Sequence, residues 1–272
     1  MAKRDTSLTE EKIAQYYKKG RGSGELANYK PWLIIQDVPS SGRVHRIKGW
    51  KTSRIHHLLS DLERNYFLFL EWSDNVIDIR EQYPLNREET LQIAEQMNVE
   101  HPVDPTSKTP IVMTTDFLVT LRENNKIVYM AKTIKPSEEL EKDDVKRKFG
   151  IEENYWLSKS ISWGIVTERD LPKDMIKNLL WLRSAYEIDE TDLIMADELY
   201  FNLLNNTGPI LEGLNNFDEI CNLEDGTSIR LFKYLVVNKR IRFDMGKKFE
   251  LSDAVSSLVF MDEKVKQKRV RI

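Results

Sequence analysis

The stretch IVMTTDFLVTLRENNKIVYMAKTIKP, residues 111–136, decides the fold of the N-terminal part of this chain. Two segments in which apolar and polar residues alternate flank the tetrapeptide ENNK, and alternation is typical of β-strands. Asn tolerates positive φ, so Asn124 and Asn125 predict a two-residue turn. The stretch therefore predicts a β-hairpin in which Glu123 pairs with Lys126.

This predicted register brings three polar side chains together. Asp116 lies opposite Thr133, and Lys135 is its diagonal neighbour on the same face. Their Cβ atoms are then about 5 Å and 7–8 Å from that of Asp116. Lys132 has the opposite parity and points to the other face. A carboxylate beside a lysine is part of the equipment of a metal-dependent nuclease, although it could also be a plain cross-strand ion pair.

A second acid comes from a predicted helix over residues 53–72. Glu63 has Leu59, Phe67 and Leu70 at i−4, i+4 and i+7, so it lies within or beside the apolar stripe. An acid that faces a core is costly unless it is paired or coordinates a metal ion. The alternative is a glutamate that reaches the solvent at the rim.

Together these residues suggest a catalytic site. Hard divalent cations such as Mg²⁺ bind few carboxylates and keep several waters, which leaves room for a phosphate. We expect Glu63 and Asp116 to hold the cation and Lys135 to orient water or offset charge on the phosphate. Asp78 or Glu81 could add an outer contact, and nothing in the spacing selects either.

Composition limits the class of protein. The chain has 272 residues, 40% apolar and 31% charged, which is typical of a globular protein of one large or two ordinary domains. It contains no apolar run of about 18 residues and no signal-peptide core, so we expect no membrane association. A single cysteine, Cys221, fits a reducing compartment, and the expected location is the cytoplasm.

Charge is distributed unevenly along the chain. Residues 1–60 hold 12 Lys or Arg and 5 Asp or Glu, a net charge of +7, whereas the whole chain carries −3. A basic segment ahead of a nuclease site favours contact with DNA phosphates, although a solvated helix face would show the same composition. The candidate DNA-binding residues are Arg43, His45, Arg46, Lys51, Arg54 and His56.

The charged, Pro-containing segment 168–172 is the predicted domain boundary, with a nuclease domain over residues 1–170 and a second domain over 171–272. Helices are predicted at about 173–185, 189–205, 210–223 and 226–238. A hairpin is expected over 240–251, turning near Gly246, and a basic tail over 264–272. This pattern fits a winged helix, which could bind DNA or protein, or equally a helical cap with an ordinary hairpin.

Several motifs resemble the TnsA family, the endonuclease subunits of heteromeric DNA transposases. The resemblance is close over about the first 170 residues and looser beyond them. The matching motifs are VPSSGR at 38–43 with His45-Arg46, HHLLSDLE at 56–63, DIREQ at 78–82, TDFLV at 115–119 and IKP at 134–136.

The resemblance implies a restriction-endonuclease-like fold, an α/β architecture with a mixed sheet flanked by helices, followed by a mainly helical, winged-helix-like domain. It assigns catalysis to Glu63, Asp116 and Lys135, with Mg²⁺ as cofactor and Mn²⁺ as its substitute. Two positions before the lysine the family usually has Gln or an acid that contacts metal. Here that position is Thr133, a weaker ligand.

The activity implied is hydrolysis of one DNA strand at the 5′ ends of a transposon. A TnsB-type recombinase would cut and join the 3′ ends, and a TnsC-type AAA+ ATPase would regulate the assembly. Two other functions stay open at this point. One is a free-standing restriction or repair nuclease, and the other is a non-catalytic adaptor that recruits the ATPase, which Thr133 favours.

Overall fold

The structure is a computed structural model, and it describes residues 7–38 and 42–261. Its internal contacts divide the chain into two units, and the boundary between them in the sequence falls after Leu171. The predicted boundary followed residue 170. The tripeptide 39–41 of the VPSSGR motif and the basic tail 264–272 lie outside the described residues.

The first unit is built on a mixed four-stranded sheet of order β3-β4-β5-β6, in which only β5 and β6 run parallel. A separate two-stranded ribbon pairs β1 with β2. The elements are α1 (Glu10–Lys18), β1 (His45–Lys48), β2 (Ile55–Leu58), α2 (Asp61–Trp72), β3 (Val76–Pro84), α3 (Arg87–Gln96), β4 (Thr114–Glu123), β5 (Lys126–Ile134), α4 (Asp143–Ser158) and β6 (Ser162–Val166).

The predicted hairpin is confirmed as β4 and β5. Glu123 pairs with Lys126, and the same register continues to Phe117 opposite Lys132. Asn124 and Asn125 have φ values of 47° and 61°, the left-handed conformation that a two-residue hairpin turn of type I′ requires.

Helices cover both faces of this sheet. Leu118 belongs to a buried cluster with Ile151 and Trp156 of α4. The next residue back, Phe117, points the other way and meets Tyr66 of α2 with ring centroids 5.6 Å apart. Because neighbouring strand residues face opposite sides, α2 and α4 sandwich the sheet. The expected mixed sheet flanked by helices is therefore present.

The helix predicted over residues 53–72 is wrong in its first part. Residues 55–58 form β2, which pairs with β1 from His45 opposite Leu58 to Lys48 opposite Ile55, and α2 begins only at Asp61. Ser60 caps α2, because its side chain accepts a hydrogen bond from the backbone N–H of Glu63. Ser followed three residues later by Glu is a capping-box signal that places the helix start here.

The second unit is mainly helical, with a short two-stranded pair. Its elements are α5 (Lys173–Leu182), α6 (Glu190–Leu204), α7 (Ile210–Ile220), α8 (Thr227–Val237), β7 (Ile241–Arg242) and β8 (Val259–Phe260). The four predicted helices are all found. No helix in the described part of the chain is long and apolar enough to cross a membrane.

The hairpin predicted over residues 240–251 does not form, because β7 pairs instead with β8. The intervening loop bonds to a side chain rather than to a partner strand. The Asn178 amide donates to the carbonyl of Lys247 (2.7 Å) and accepts from the N–H of Phe249 (3.0 Å). Phe243 also stacks on Phe249 with centroids 4.3 Å apart, so packing within the loop adds to its bonds with Asn178.

Candidate active site

A pocket of about 390 Å³ in the first unit gathers the four residues to which the sequence assigned catalysis and metal binding. Glu63 enters from the first turn of α2, Asp116 from β4, Thr133 from β5 and Lys135 from the residue after β5 ends. Elements that are distant in sequence therefore converge at one end of the sheet.

Glu63 owes its position to the cap of α2. Its carboxylate accepts hydrogen bonds from the backbone N–H of Leu59 (2.9 Å) and from the hydroxyl of Ser60 (3.2 Å). The side chain is buried, with 7% of the residue exposed. The carboxylate is therefore held rigidly toward the protein interior rather than at a solvated rim.

Asp116 stands in a row of polar residues across three strands. The pairs Glu81–Phe117 and Tyr83–Thr115 place Gln82 opposite it on β3, and the hairpin register places Thr133 opposite it on β5. One oxygen of Asp116 accepts from the backbone N–H of Ile134 (2.7 Å), and the other accepts from the Gln82 amide (3.2 Å). These bonds fix the carboxylate at the pocket.

Both acids are hard to ionise in this setting. Burial raises the pKa of Glu63, and the neighbouring charge of Asp116 raises it further. Burial also raises the pKa of Asp116, although the hydrogen bonds from Ile134 and Gln82 and the charge of Lys135 oppose the shift. A cation between the two carboxylates, one buried and one half-buried, would favour their ionised forms.

Lys135 shares the pocket with Asp116 but bonds elsewhere. Its ammonium lies 2.7 Å from a carboxylate oxygen of Glu139, and Lys142 approaches the same oxygen at 3.7 Å. All three side chains are partly exposed to solvent. An ion pair in contact with water exchanges readily, so Lys135 can turn to a bound phosphate.

Thr133 is engaged by a fourth acid, Glu152 of α4. The hydroxyls of Thr133 and Thr115 both donate to one oxygen of Glu152, and Trp163 donates its indole N–H to Thr133 (3.2 Å). Glu152 is buried, and burial raises its pKa to about 7. Thr133, the weak metal ligand noted in the sequence, is therefore hydrogen-bonded to a buried carboxylate.

Two of the predicted DNA-binding residues are internal, and that prediction is corrected. Arg54 donates two hydrogen bonds to the Glu81 carboxylate (2.8 and 2.5 Å), and His56 Nδ1 lies 2.8 Å from the same group. His56 is fully buried, with Nε2 bonded to Thr52. The side chains of Arg54, just before β2, and of His56, on β2, are both directed to Glu81 in the interior rather than to a phosphate at the surface.

The four other basic residues lie closer to the surface. Arg43 and Arg46 are exposed, which leaves them able to meet a DNA backbone. His45 bonds to Asp61 at 2.8 Å. Lys51 is half-buried, and its backbone N–H donates to Glu71.

The sequence prediction missed two polar residues of this site, Gln82 and Glu152. Glu152 could have been found by the reasoning that found Glu63, because Val145, Tyr155 and Trp156 lie at i−7, i+3 and i+4 on a buried helical face. Gln82 lies in the DIREQ motif, but periodicity gave no role for it, since its importance depends on which residues lie across the sheet. Asp78 and Glu81, the two outer contacts considered, do not line the pocket; Gln82 does not line it either, but it bonds to both acids.

Among residues 7–38 and 42–261, no three His, Cys, Asp or Glu side chains come together in a geometry that could hold a metal ion. A cation at Glu63 and Asp116 would therefore take its other ligands from water and phosphate oxygens, as Mg²⁺ commonly does. Two acids and a lysine at the end of a mixed sheet have the chemistry of a nuclease, a hydrolase of phosphodiester bonds.

Comparison with known proteins agrees with this class. A family model described as "TnsA-like endonuclease N terminal" matches residues 73–168, and one described as "TnsA endonuclease C terminal" matches residues 170–245. The chain is 36% identical over 279 residues to the Transposon Tn7 transposition protein TnsA of Escherichia coli, covering 97% of this chain and 98% of the relative. The chain belongs to the TnsA endonuclease family.

Proposed function

We propose that this protein is the transposon-end endonuclease of a heteromeric transposase and that it hydrolyses one DNA strand, at the 5′ ends of the element. The observation that supports this most directly is the meeting of Glu63 and Asp116 at one amide, beside Lys135. Membership of the TnsA endonuclease family supports DNA as the substrate and transposition as the process.

We propose Mg²⁺ as the cofactor, with Mn²⁺ as a substitute. Glu63 and Asp116 fit a divalent cation because desolvation raises the pKa of both carboxyls more than their hydrogen bonds and Lys135 lower it, and Thr133 would add a neutral oxygen. When bound, such a cation supplies Lewis-acid activation of water and neutralises charge on the phosphate.

The residues of the chain would divide the work as follows. The hydrogen bonds from Leu59 and Ile134 hold the two carboxylates in place before substrate arrives. Lys135 would leave Glu139 and donate to a non-bridging phosphate oxygen or to the attacking water. Arg43 and Arg46 would neutralise phosphates beside the cleavage site.

For the architecture, we propose that the first unit has a restriction-endonuclease-like fold and that the second is a winged-helix-like module, although its hairpin differs from the predicted one. The mixed sheet with acids at its end and the helices α5 to α8 support these assignments. The partners proposed are a TnsB-type recombinase and a TnsC-type AAA+ ATPase, and the proposed location is the cytoplasm, on DNA.

The test is strand cleavage of DNA that carries a transposon end, with the purified recombinase, in the presence and absence of Mg²⁺. We expect a nick at the 5′ side that requires the cation, and we expect Lys135→Ala to abolish it while assembly with the recombinase persists. Unassisted cleavage by this chain would instead favour a free-standing nuclease. No cleavage by the full assembly would favour an adaptor.

A further inference from the structure

We propose that Gln82 is a positioning residue that aligns Glu63 and Asp116 for the cation. This inference rests on the function proposed above and adds a residue to its site. The Gln82 amide Nε2 donates to Asp116 (3.2 Å) and, more weakly, to Glu63 (3.5 Å). Because Nε2 has two N–H donors, one amide can hold both acids at once.

The backbone at Gln82 is held in an uncommon conformation. Its φ is +48°, in the left-handed region, although it lies in the interior of β3 and both neighbours pair normally with β4. A long side chain in this conformation is disfavoured and persists where surrounding contacts impose it. Such strain concentrates at functional sites, and here the residue concerned is the one that bridges the two acids.

Contacts on each side hold Gln82 in place. Its carbonyl accepts from the backbone N–H of Trp32, a fully buried residue outside the sheet (3.1 Å). The hydroxyl of Thr114 donates to the side-chain oxygen of Gln82 (3.3 Å), which directs the nitrogen of the amide toward the carboxylates. Gln82 itself is buried, with 2% exposed.

These contacts give Gln82 a role that packing alone does not explain. Two neighbouring carboxylates repel each other, and a shared neutral donor lets both stay close without adding a charge that would repel a cation. Residues that orient metal ligands in this way typically change metal affinity by about 10–100-fold when removed.

The test compares Gln82→Met, which keeps the length but loses the donor, with Gln82→Gly, which also suits the positive φ. Gln92→Ala, an exposed glutamine on α3, is the matched control. Mn²⁺ binding to each full-length protein is measured by calorimetry. We expect both Gln82 variants to bind Mn²⁺ about 10–100-fold more weakly and the control to equal the parent.

Two further readouts separate positioning from general stability. Without metal, Gln82→Gly should melt at a higher temperature than Gln82→Met, because only glycine relieves the left-handed backbone. Raising Mn²⁺ to saturation should restore nicking in Gln82→Gly to within about 3-fold of the parent, since the acids themselves remain.

Mn²⁺ affinity in both variants equal to that of the parent would overturn the role of Gln82 and leave the proposed nuclease standing. A parent protein that binds no divalent cation would overturn both. Weak binding in Gln82→Met together with parent-like binding in Gln82→Gly would also count against the proposal, because it would point to a packing defect of the methionine.

Discussion

Neighbouring residues of β3 belong to two buried acid clusters that differ in how charge is compensated. In the first cluster, the Glu81 carboxylate bonds to the side chains of Arg54 and His56 in the interior. Gln82 touches the other cluster, Glu63 and Asp116, where two acids share one neutral amide. Adjacent residues of β3 therefore contact an acid that is paired with cationic side chains and two acids that share a neutral donor.

The pKa shifts in the two clusters have opposite directions. Burial opposes ionisation of Glu81, yet His56 and Arg54 outweigh it and hold the pKa of that carboxyl well below its usual range. Burial raises the pKa of Glu63 and Asp116, and the charge of Lys135 lowers that of Asp116 without outweighing the effect of burial. A buried acid with its own cation stabilises the fold, whereas acids without one are suited to receive a metal ion.

The largest expected effect comes from breaking the compensated cluster. Glu81→Gln leaves the Arg54 guanidinium buried opposite a neutral group, and we expect the free energy of unfolding to fall by about 3–5 kcal/mol. Urea denaturation monitored by tryptophan fluorescence measures this. Asp61→Asn, which loses an exposed ion pair, is the control and should cost less than about 1 kcal/mol. A similar small loss in Glu81→Gln would contradict the comparison.

Changing the uncompensated cluster should affect catalysis more than folding. We expect Asp116→Asn to reduce strand cleavage by about 10²–10³-fold or more, because a ligand charge at the reacting phosphate is lost. Gel analysis of nicked end-containing DNA under single-turnover conditions measures the rate. Glu123→Gln at the turn of the same hairpin is the control, and its rate should match the parent's. Cleavage by Asp116→Asn within a few-fold of that rate would remove Asp116 from the site.

The opposite pKa shifts also predict a pH dependence. Since Glu63 and Asp116 have folded-state pKa values above their unfolded values, their contribution to stability is full at low pH. It is lost as the pH rises through the folded pKa values, so the metal-free protein should lose stability between about pH 5 and pH 8.

Asp116→Asn should flatten this dependence and gain roughly 1–3 kcal/mol relative to the parent at pH 8. Urea unfolding in EDTA across this pH range measures it. Asp61→Asn serves again as control, because the pKa of Asp61 is lowered through His45 and Arg64 despite some burial, and its loss should not flatten the curve. An unchanged slope in Asp116→Asn would mean that these acids do not resist ionisation in the folded protein.

The smallest expected effect concerns Lys135, which pairs with Glu139 and is proposed to contact the DNA phosphate. Glu139→Gln removes the partner that holds Lys135, and we expect DNA to bind up to about 5-fold more tightly, since a partly exposed ion pair is worth no more than about 1 kcal/mol. Fluorescence anisotropy with labelled end DNA measures the affinity.

Glu141→Gln is the matched control for this change, because Glu141 pairs with Lys146 at the surface (2.6 Å). Its loss should alter DNA binding less than that of Glu139. Equal gains in both variants would indicate a general effect of negative charge, and weaker binding in Glu139→Gln would mean that Glu139 helps to present Lys135.

Local patterns in the sequence were enough to determine several features. Asn124-Asn125 set the hairpin register because residues that tolerate positive φ select the turn, and the turn aligns Asp116 with Thr133. The apolar residues one and two turns away placed Glu63 within or beside the apolar stripe of its helix, but they left open whether its carboxylate is buried or reaches the solvent. The helices of the second unit followed from the same periodicity, since helical hydrogen bonds and capping are local.

Tertiary structure decided which polar residues work together. His56 lies in a basic stretch that is typical of DNA contacts. In the structure, the pairing of β1 with β2 places its side chain in the interior, beside Glu81. Gln82 and Glu152 joined the site because β3 and α4 pack there. The loop before β8 forms hydrogen bonds with the side chain of Asn178, which is distant in sequence. Burial and charge compensation depend on residues brought together from distant segments, and a local pattern contains no information about those neighbours.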